Sequence, residues 1–402
     1  MTPFKTLLAA TTAVALAAAP ASAQDTATAK FPRLRMGLDA VSIWQTLEQK
    51  NDSGTLPNLT SGWQAALGNM HLYVDLADSV NVYAELYLSS KHHPGQVMDR
   101  EGWVRIGRLP EGWDFLHLNG LFKYIDIKAG HFEVDFGNQH LTRSDNAQVQ
   151  RNPLIGNYVV DPNTVQAGLE IIGGVGAFHA VAGVGSGITV EDFQPGRGYS
   201  LNGKVWIEPA DKRFNVAASV YQIDHSGNPN QFPAGGSNTE LFSGNRSGSR
   251  YSGVISLKGA DAGQLLLGRG EDVLAWQLDA LANVGPVQVS GLYGRFEDSD
   301  INGSDPGTPK EKATYYGAEA RWDLLFDMAY LAGRFSGASI SSFRGAATDA
   351  SVARYQAGLS FRLLSQVLAK VEYVHQRYDG FPTAYAANPR FNGVLVETSM
   401  SF

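Results

Sequence analysis

The sequence predicts an all-β fold: a transmembrane antiparallel β-barrel of about sixteen strands, with fourteen or eighteen also fitting the pattern. Three observations predict it. Apolar and polar residues alternate with period 2 in segment after segment, where a helix would repeat every three to four positions. One face of these segments is nearly free of charge over ~9–11 residues, the length at which a tilted strand crosses a bilayer. The connections between segments are short and long by turns.

The expected strands are 34–48, 62–75, 80–90, 101–117, 121–134, 164–172, 176–186, 199–208, 213–225, 271–283, 287–297, 314–324, 328–341, 352–363, 367–378 and 393–402. In 80–90, Val80, Val82, Ala84, Leu86 and Leu88 share one face, and Asn81, Tyr83, Glu85, Tyr87 and Ser89 the other. In 199–208, Gly203, Val205 and Ile207 oppose Asn202, Lys204, Trp206 and Glu208. In 314–324, Tyr316, Ala318, Ala320, Trp322 and Leu324 oppose Tyr315, Gly317, Glu319, Arg321 and Asp323. In 352–363, Ala353, Tyr355, Ala357, Leu359, Phe361 and Leu363 oppose Arg354, Gln356, Gly358, Ser360 and Arg362. The stretch 101–117 is broken by Pro110, which cannot donate to a ladder.

A soluble sandwich also alternates, with its polar face in bulk water. Aromatics near the strand ends favour the membrane instead: Trp63, Trp206, Tyr316, Trp322, Tyr355, Phe361 and Tyr373. In lipid every backbone polar group must be paired within the protein, so the sheet must close. Tight turns are expected at Ala77-Asp78-Ser79, Gly173-Gly174, 209–212, 284–286, Phe326-Asp327 and Ser365-Gln366. Long loops are expected at 50–60, 91–100, 137–163, 187–198, 226–270, 299–313, 342–351 and 380–392. The strand-like stretch 251–258 would invert this alternation as a spanning strand. It is therefore placed in the 226–270 loop, as a local hairpin with 263–267.

Lys5, the apolar run from Leu7 to Ala19 and the small residues Ala21-Ser22-Ala23 read as a signal peptide over 1–23. That leaves 24–402 as a single barrel domain, exported to the outer membrane. The chain has no Cys, hence no disulfide framework. Its Lys+Arg count of 32 against 39 Asp+Glu argues against non-specific nucleic-acid binding. No nucleophile signature or phosphate loop is present, and the adjacent pair His92-His93 lacks the further ligands of a metal shell. No cofactor and no metal are expected.

Two resemblances add to this. The final strand, Val394-Leu-Val-Glu-Thr-Ser-Met-Ser-Phe402, resembles the terminal strand of bacterial outer-membrane barrels. That resemblance implies that Phe402 is read by the barrel-assembly machinery. The segment Ala129-Gly-His-Phe-Glu-Val-Asp-Phe-Gly137 resembles the G-x-F-x-x-x-F-G segment of the phosphate-selective porin O/P-like family of Gram-negative bacteria. Arg143-Ser-Asp-Asn146, Arg151-Asn-Pro153 and Gly156-Asn-Tyr158 are similar to barrels of that wider group. The family binds anions through lumenal Lys and Arg rings. No Lys-rich loop occurs here, so the resemblance implies a porin without carrying over phosphate selectivity.

By count, 137–163 follows the fifth strand. In general porins that loop folds inward and narrows the channel, and this position resembles theirs. Its charges are His140, Arg143, Asp145, Arg151 and Asp161. They make either a constriction carrying both signs of charge or a solvated rim loop. Strict alternation from Ile125, Ile127 and Ala129 would send His131, Glu133 and Asp135 to lipid, so a one-residue bulge is expected near Gly130. The lumenal charges of the clear strands balance: Lys128, Lys204, Arg321, Arg334, Arg354, Arg362 and Lys370 against Glu85, Glu208, Asp279, Glu319, Asp323, Glu372 and Glu397. Arg321, Arg334, Arg354 and Arg362 fall on three consecutive strands and suggest a local basic wall, unless they pair with the nearby acids to stiffen the barrel.

These features point to a passive channel for small polar solutes or ions, lying in lipid as a monomer or a homotrimer. Two other classes fit more weakly. One is a lipid-acting enzyme built around the lipid-facing His375; the other is a structural or adhesive barrel plugged by 226–270.

Overall fold

The computed structural model describes residues 31–90, 96–109, 112–114, 117–185, 199–223, 241, 250–255, 260–261, 263–265, 272–298, 311–324, 328–343, 346–381 and 387–402. The expected leader over 1–23, Pro110, His92-His93 and the turn at Phe326-Asp327 lie outside these residues.

Sixteen long strands form one closed antiparallel barrel. The first eight are β1 (Arg33–Lys50), β2 (Leu67–Ala77), β3 (Val80–Ser89), β4 (Met98–Ile106), β5 (Ile125–Glu133), β6 (Val165–Val175), β7 (Phe178–Gly185) and β8 (Ser200–Ile207). The second eight are β9 (Phe214–Ile223), β10 (Val273–Val284), β11 (Val287–Asp298), β12 (Glu311–Leu324), β13 (Ala329–Phe343), β14 (Ala346–Leu364), β15 (Val367–Asp379) and β16 (Arg390–Ser401). Each strand pairs with its chain neighbours.

The ring closes on β1. Its upper half, Asp39 to Lys50, pairs with Ser401 to Arg390 of β16. Its lower half, Arg33 to Val41, pairs with Asp75 to Leu67 of β2. Phe402 extends the seam: its N–H donates to the Leu38 carbonyl at 3.1 Å and its carbonyl accepts from Leu38 N–H at 2.8 Å. At Gly393 (φ +158°) an added Cβ would collide with the Thr46 carbonyl and stand 2.8 Å from Leu47 Cα, so glycine lets these strands meet.

Alternation sorts the side chains as expected. Outward positions such as Leu34, Met36, Val205, Val220, Leu278, Trp322 and Val371 are exposed, while their neighbours in phase with Glu85, Lys204, Glu319 and Glu372 are buried inside.

Five local expectations fail. The second strand begins at Leu67, and Gly62–Trp63 pairs separately with Gln45 and Trp44 of β1. The stretch expected as 101–117 ends at Ile106, where its alternation ends; beyond it a 3-10 turn at Leu118–Gly120 follows, and the Asn119 amide bridges the Leu109 backbone at 2.8 and 3.2 Å. The turn expected at Gly173-Gly174 falls three residues on, where Gly176 takes φ +63°. The described residues of the loop expected at 342–351 are strand, because β13 and β14 continue past a bulge at Ile340/Ser342 and bury Phe343, Ala350 and Val352. The short pairing inside 226–270 is Ala260–Asp261 with Gln264–Leu265, whereas residues 251–255 run as irregular chain.

The bulge expected at Gly130 is also displaced. Pairing runs unbroken through Gly130 on both sides. The extra residue is on β4: Glu85 faces Glu101 and Leu86 faces Asp99, so Arg100 is the unpaired residue and turns inward. Glycine at 130 (φ +136°) serves close approach instead, since a Cβ would sit 2.7 Å from Trp103 Cα. Glu133, the last paired residue of β5, lies 3.5 Å from Arg100, and Asp135, beyond the strand, accepts from Lys204 Nζ at 2.8 Å.

Candidate functional site

The segment 137–163 turns into the lumen and crosses it. On one side it meets β2 and β3. Asn146, in the left-handed region (φ +46°), donates from Nδ2 to Asn69 Oδ1 (2.6 Å) and to the Ser89 carbonyl (2.9 Å). Tyr87 donates its hydroxyl to Asp145 at 2.5 Å. On the far side the segment meets β12 to β16. Glu372 on β15 accepts the N–H groups of Ile155 (2.6 Å) and Gly156 (3.0 Å). Lys370 donates to the carbonyls of Val149 (2.5 Å), Asn152 (2.7 Å) and Leu154 (3.2 Å).

Two of the four arginines of the expected basic wall are therefore not a ladder for solutes. Arg334 is fully buried, paired with Glu319, and donates to the Gly156 carbonyl at 2.6 Å and Asn152 Oδ1 at 2.9 Å. Arg354 meets no carboxylate among its hydrogen bonds. It donates to Gln376 Oε1 (2.6 Å), the Asn157 carbonyl (2.7 Å) and the Gly263 carbonyl. Arg321 and Arg362 stand apart from them. Arg321 pairs with Asp323 on its own strand at 2.7 Å, and Arg362 donates to the Ser365 carbonyl at 3.3 Å; both lie near the short-turn end, partly exposed. Lys370 pairs with Glu397 (3.3 Å), Lys128 with Glu170 (3.2 Å), and Lys204 with Asp135 (2.8 Å). Asp279 accepts from the Gln277 amide at 2.8 Å, and Glu208 from Asn215 at 3.0 Å.

The five loop charges separate into three groups. Arg143 is buried and forks onto Asp161, with Nε 3.0 and 3.1 Å from the two carboxylate oxygens. Its other face lies 3.7 Å from Asp145, which also takes Arg100 Nε at 3.3 Å. Burial alone would raise the Asp145 carboxyl. Arg100, Arg143 and Arg151 outweigh it and hold that group well below the usual carboxylate range. His140 stands apart, 3.3 Å from Asp135. Burial pushes its imidazole down to about 4 with the help of Lys204 and Arg151, against the pull of Asp135. Arg151 is exposed and donates to the Arg143 carbonyl at 2.9 Å.

A second segment joins the first inside the barrel. Tyr251 donates to Glu372 Oε1 at 2.7 Å and stacks under Arg354 at 4.8 Å. Arg250 donates to the Asn146 carbonyl and lies 3.5 Å from Glu397. Leu265 N–H donates to the Val159 carbonyl at 2.7 Å. Val149, Ile155 and Val159 share a buried apolar cluster with Ile255, Leu265 and Phe391. Sequence reasoning missed Asn69, Arg100, Asn152 and Tyr251, because their partners lie far away in the chain and are brought beside them only by the fold. His375 keeps its lipid-facing phase and packs against Tyr355 (6.5 Å between ring centres); no serine hydroxyl bonds it among the described residues.

No protein-family model matches the chain, and no curated protein matches it. Solved structures do. The outer membrane channel DcaP of Acinetobacter baumannii superposes with a TM-score of 0.56 at 11% identity, covering 92% of this chain and 97% of that one. The anion-selective porin from Comamonas acidovorans gives 0.56 at 12%, covering 92% and 100%. The outer membrane protein OmpT of Vibrio cholerae, in a trimer form, gives 0.56 at 11%, covering 93% and 100%. The likeness is one of fold: this chain has the closed sixteen-stranded barrel of outer-membrane proteins.

Proposed function

We propose that this chain is an outer-membrane channel for passive diffusion of small polar solutes or ions, narrowed by the inserted segment 137–163. One observation carries the reading: the apolar face looks outward, while the inner wall is polar and carries partly exposed charges below the inserted segment. Arg105, Asp126, Arg321 and Asp323 line that open half. An aqueous route explains why a barrel would keep such groups inward.

His140, Arg143, Asp145, Arg151 and Asp161 belong to the constriction, with Arg334, Arg354, Lys370, Glu319 and Glu372 as its anchors. Arg321 and Arg362 face the aqueous half. Most lumenal cations are already bonded to carbonyls or carboxylates, which argues against an anion ladder of the phosphate-selective kind. The leader over 1–23, recognition of Phe402 by the assembly machinery and residence in outer-membrane lipid go with the same reading, as a monomer or a homotrimer. The channel needs no cofactor and performs no catalysis.

A plugged structural barrel is the second reading. It is favoured by the apolar cluster of Ile155, Val159, Ile255, Leu265 and Phe391 across the lumen. Single-channel recording of the refolded mature protein in a planar bilayer separates the two. A stable current step with a defined reversal potential supports the channel; a folded, heat-modifiable barrel without current supports the plug.

A further inference from the structure

Below the inserted segment, on the inner face of β2, β3 and β4, three aromatic rings stand side by side. Tyr73 pairs in register with Tyr83, and Tyr83 with Trp103. Their ring centres are 4.6 and 5.1 Å apart, tilted by 41° and 37°. The strip lies roughly 10–13 Å inside the short-turn end, at ~3.3 Å per residue. Tyr73 is 39% exposed, Trp103 is half-buried and Tyr83 forms the covered floor between them.

Rings such as Trp206 and Tyr315 also face inward elsewhere, but here three adjoin one another across neighbouring strands. Their apolar faces gain nothing from water, and their outward neighbours Val82, Ala84 and Val104 already serve the lipid side. Polar groups surround the strip on every side. Arg35 lies over Tyr73 at 5.4 Å, and Lys128 over Trp103 at 5.5 Å. Glu101 accepts the Trp103 indole N–H at 3.1 Å, and Glu85 accepts the Tyr83 hydroxyl at 3.1 Å. The amide of Gln148, from the inserted segment, closes the top 3.4 Å from Glu85.

We propose that this strip is a binding subsite for a neutral carbohydrate on its way through the barrel. The proposal rests on the channel reading given above. Apolar rings with a few convergent polar groups are the usual make-up of a small-ligand site. A pyranose presents one face of C–H groups, which packs on aromatic π-faces, and a rim of hydroxyls, which need donors and acceptors. The charge pattern selects against anions. Arg35 is paired with Asp75 at 3.1 Å, Lys128 with Glu170 at 3.2 Å, and Arg105 with Asp126, so these cations are already spent, while Glu85 and Glu101 add hydrogen-bond acceptors.

The test is calorimetric titration of the refolded full barrel in detergent with maltotriose, which reads binding whether or not the barrel conducts. Saturable heat is expected in the wild type, with at least ~10-fold weaker binding in Tyr73→Ala and in Trp103→Leu. Tyr73→Phe keeps the ring and is expected to bind nearly as the wild type, which guards against a folding defect in the alanine variant. Absence of heat from maltotriose, binding unchanged by both ring removals, or preference for 4-hydroxybenzoate over maltotriose would each overturn the proposal. A silent channel that still binds maltotriose through Tyr73 and Trp103 would refute diffusion and leave the subsite standing.

Discussion

Glu372, like Arg354, holds both lumenal segments to the wall, and its replacement by alanine tests that design. One carboxylate oxygen takes Ile155 N–H and Gly156 N–H, and the other takes the Tyr251 hydroxyl. All of these groups are buried. Truncation leaves three donors without an acceptor, each at about 1–3 kcal/mol. Even the lower bound for three groups, about 3 kcal/mol, is two orders of magnitude in an equilibrium constant. Docking of the segment is then expected to weaken by about 100-fold. The assay is amide hydrogen exchange at Ile155 and Gly156, with single-channel current as the second readout. Glu372→Ala should lose protection by about that factor and show larger, noisier current steps. Glu372→Gln keeps an oxygen for the two amides, so a loss of about 1 kcal/mol is expected. Equal protection in wild type and Glu372→Ala would refute the claim that this carboxylate holds the segment.

Other predictions follow from neighbouring features. His140 is depressed to about 4, so its neutral form is the one the folded state favours. Its contribution is full above the ordinary imidazole value near 6.5 and falls as pH drops from there towards 4. Current noise should therefore rise across that window, and His140→Gln should flatten the profile. Arg321 is partly exposed in the aqueous half, whereas Arg334 is spent on Glu319 and the Gly156 carbonyl. Arg321→Ala is thus expected to shift the reversal potential towards cations, while Arg334→Ala chiefly enlarges current fluctuations; the reverse assignment would show that Arg334 faces the solute. Gly393→Ala places a methyl against Thr46 and Leu47 at the seam. Refolding yield by heat-modifiability on a gel should drop sharply, and an unchanged yield would mean the seam relaxes freely.

The sixteen strands were legible because lipid and lumen impose period 2 on every wall residue, as in Val80 to Ser89. Errors arose where that constraint lapses. Beyond Ile106 the chain serves neither face, so its aromatic residues imitate a strand. Past Ile340 the two strands go on pairing through serine and alanine, which form strand without an apolar stripe. The inward path of 137–163 was inferred from its place in the chain, yet its partners were invisible. Arg334, Arg354 and Lys370 look like free charges in sequence, because the carbonyls they bond belong to backbone and leave no trace in residue identity. The same holds for Glu372 and its two amides. The aromatic strip was half visible: Tyr83 was placed on the inner face, but only pairing in register brings Tyr73 and Trp103 beside it.

The seam between β1 and β16 joins the chain's first strand to its last over twelve paired positions. Synthesis makes those two strands far apart in time. Until the last has arrived, β1 and β15 each carry a bare edge of unpaired amides and carbonyls, which hydrocarbon does not tolerate. Completion of the wall is thus a checkpoint on chain integrity. A product cut short before Arg390 would lack the strand that closes the ring and be left as an open sheet.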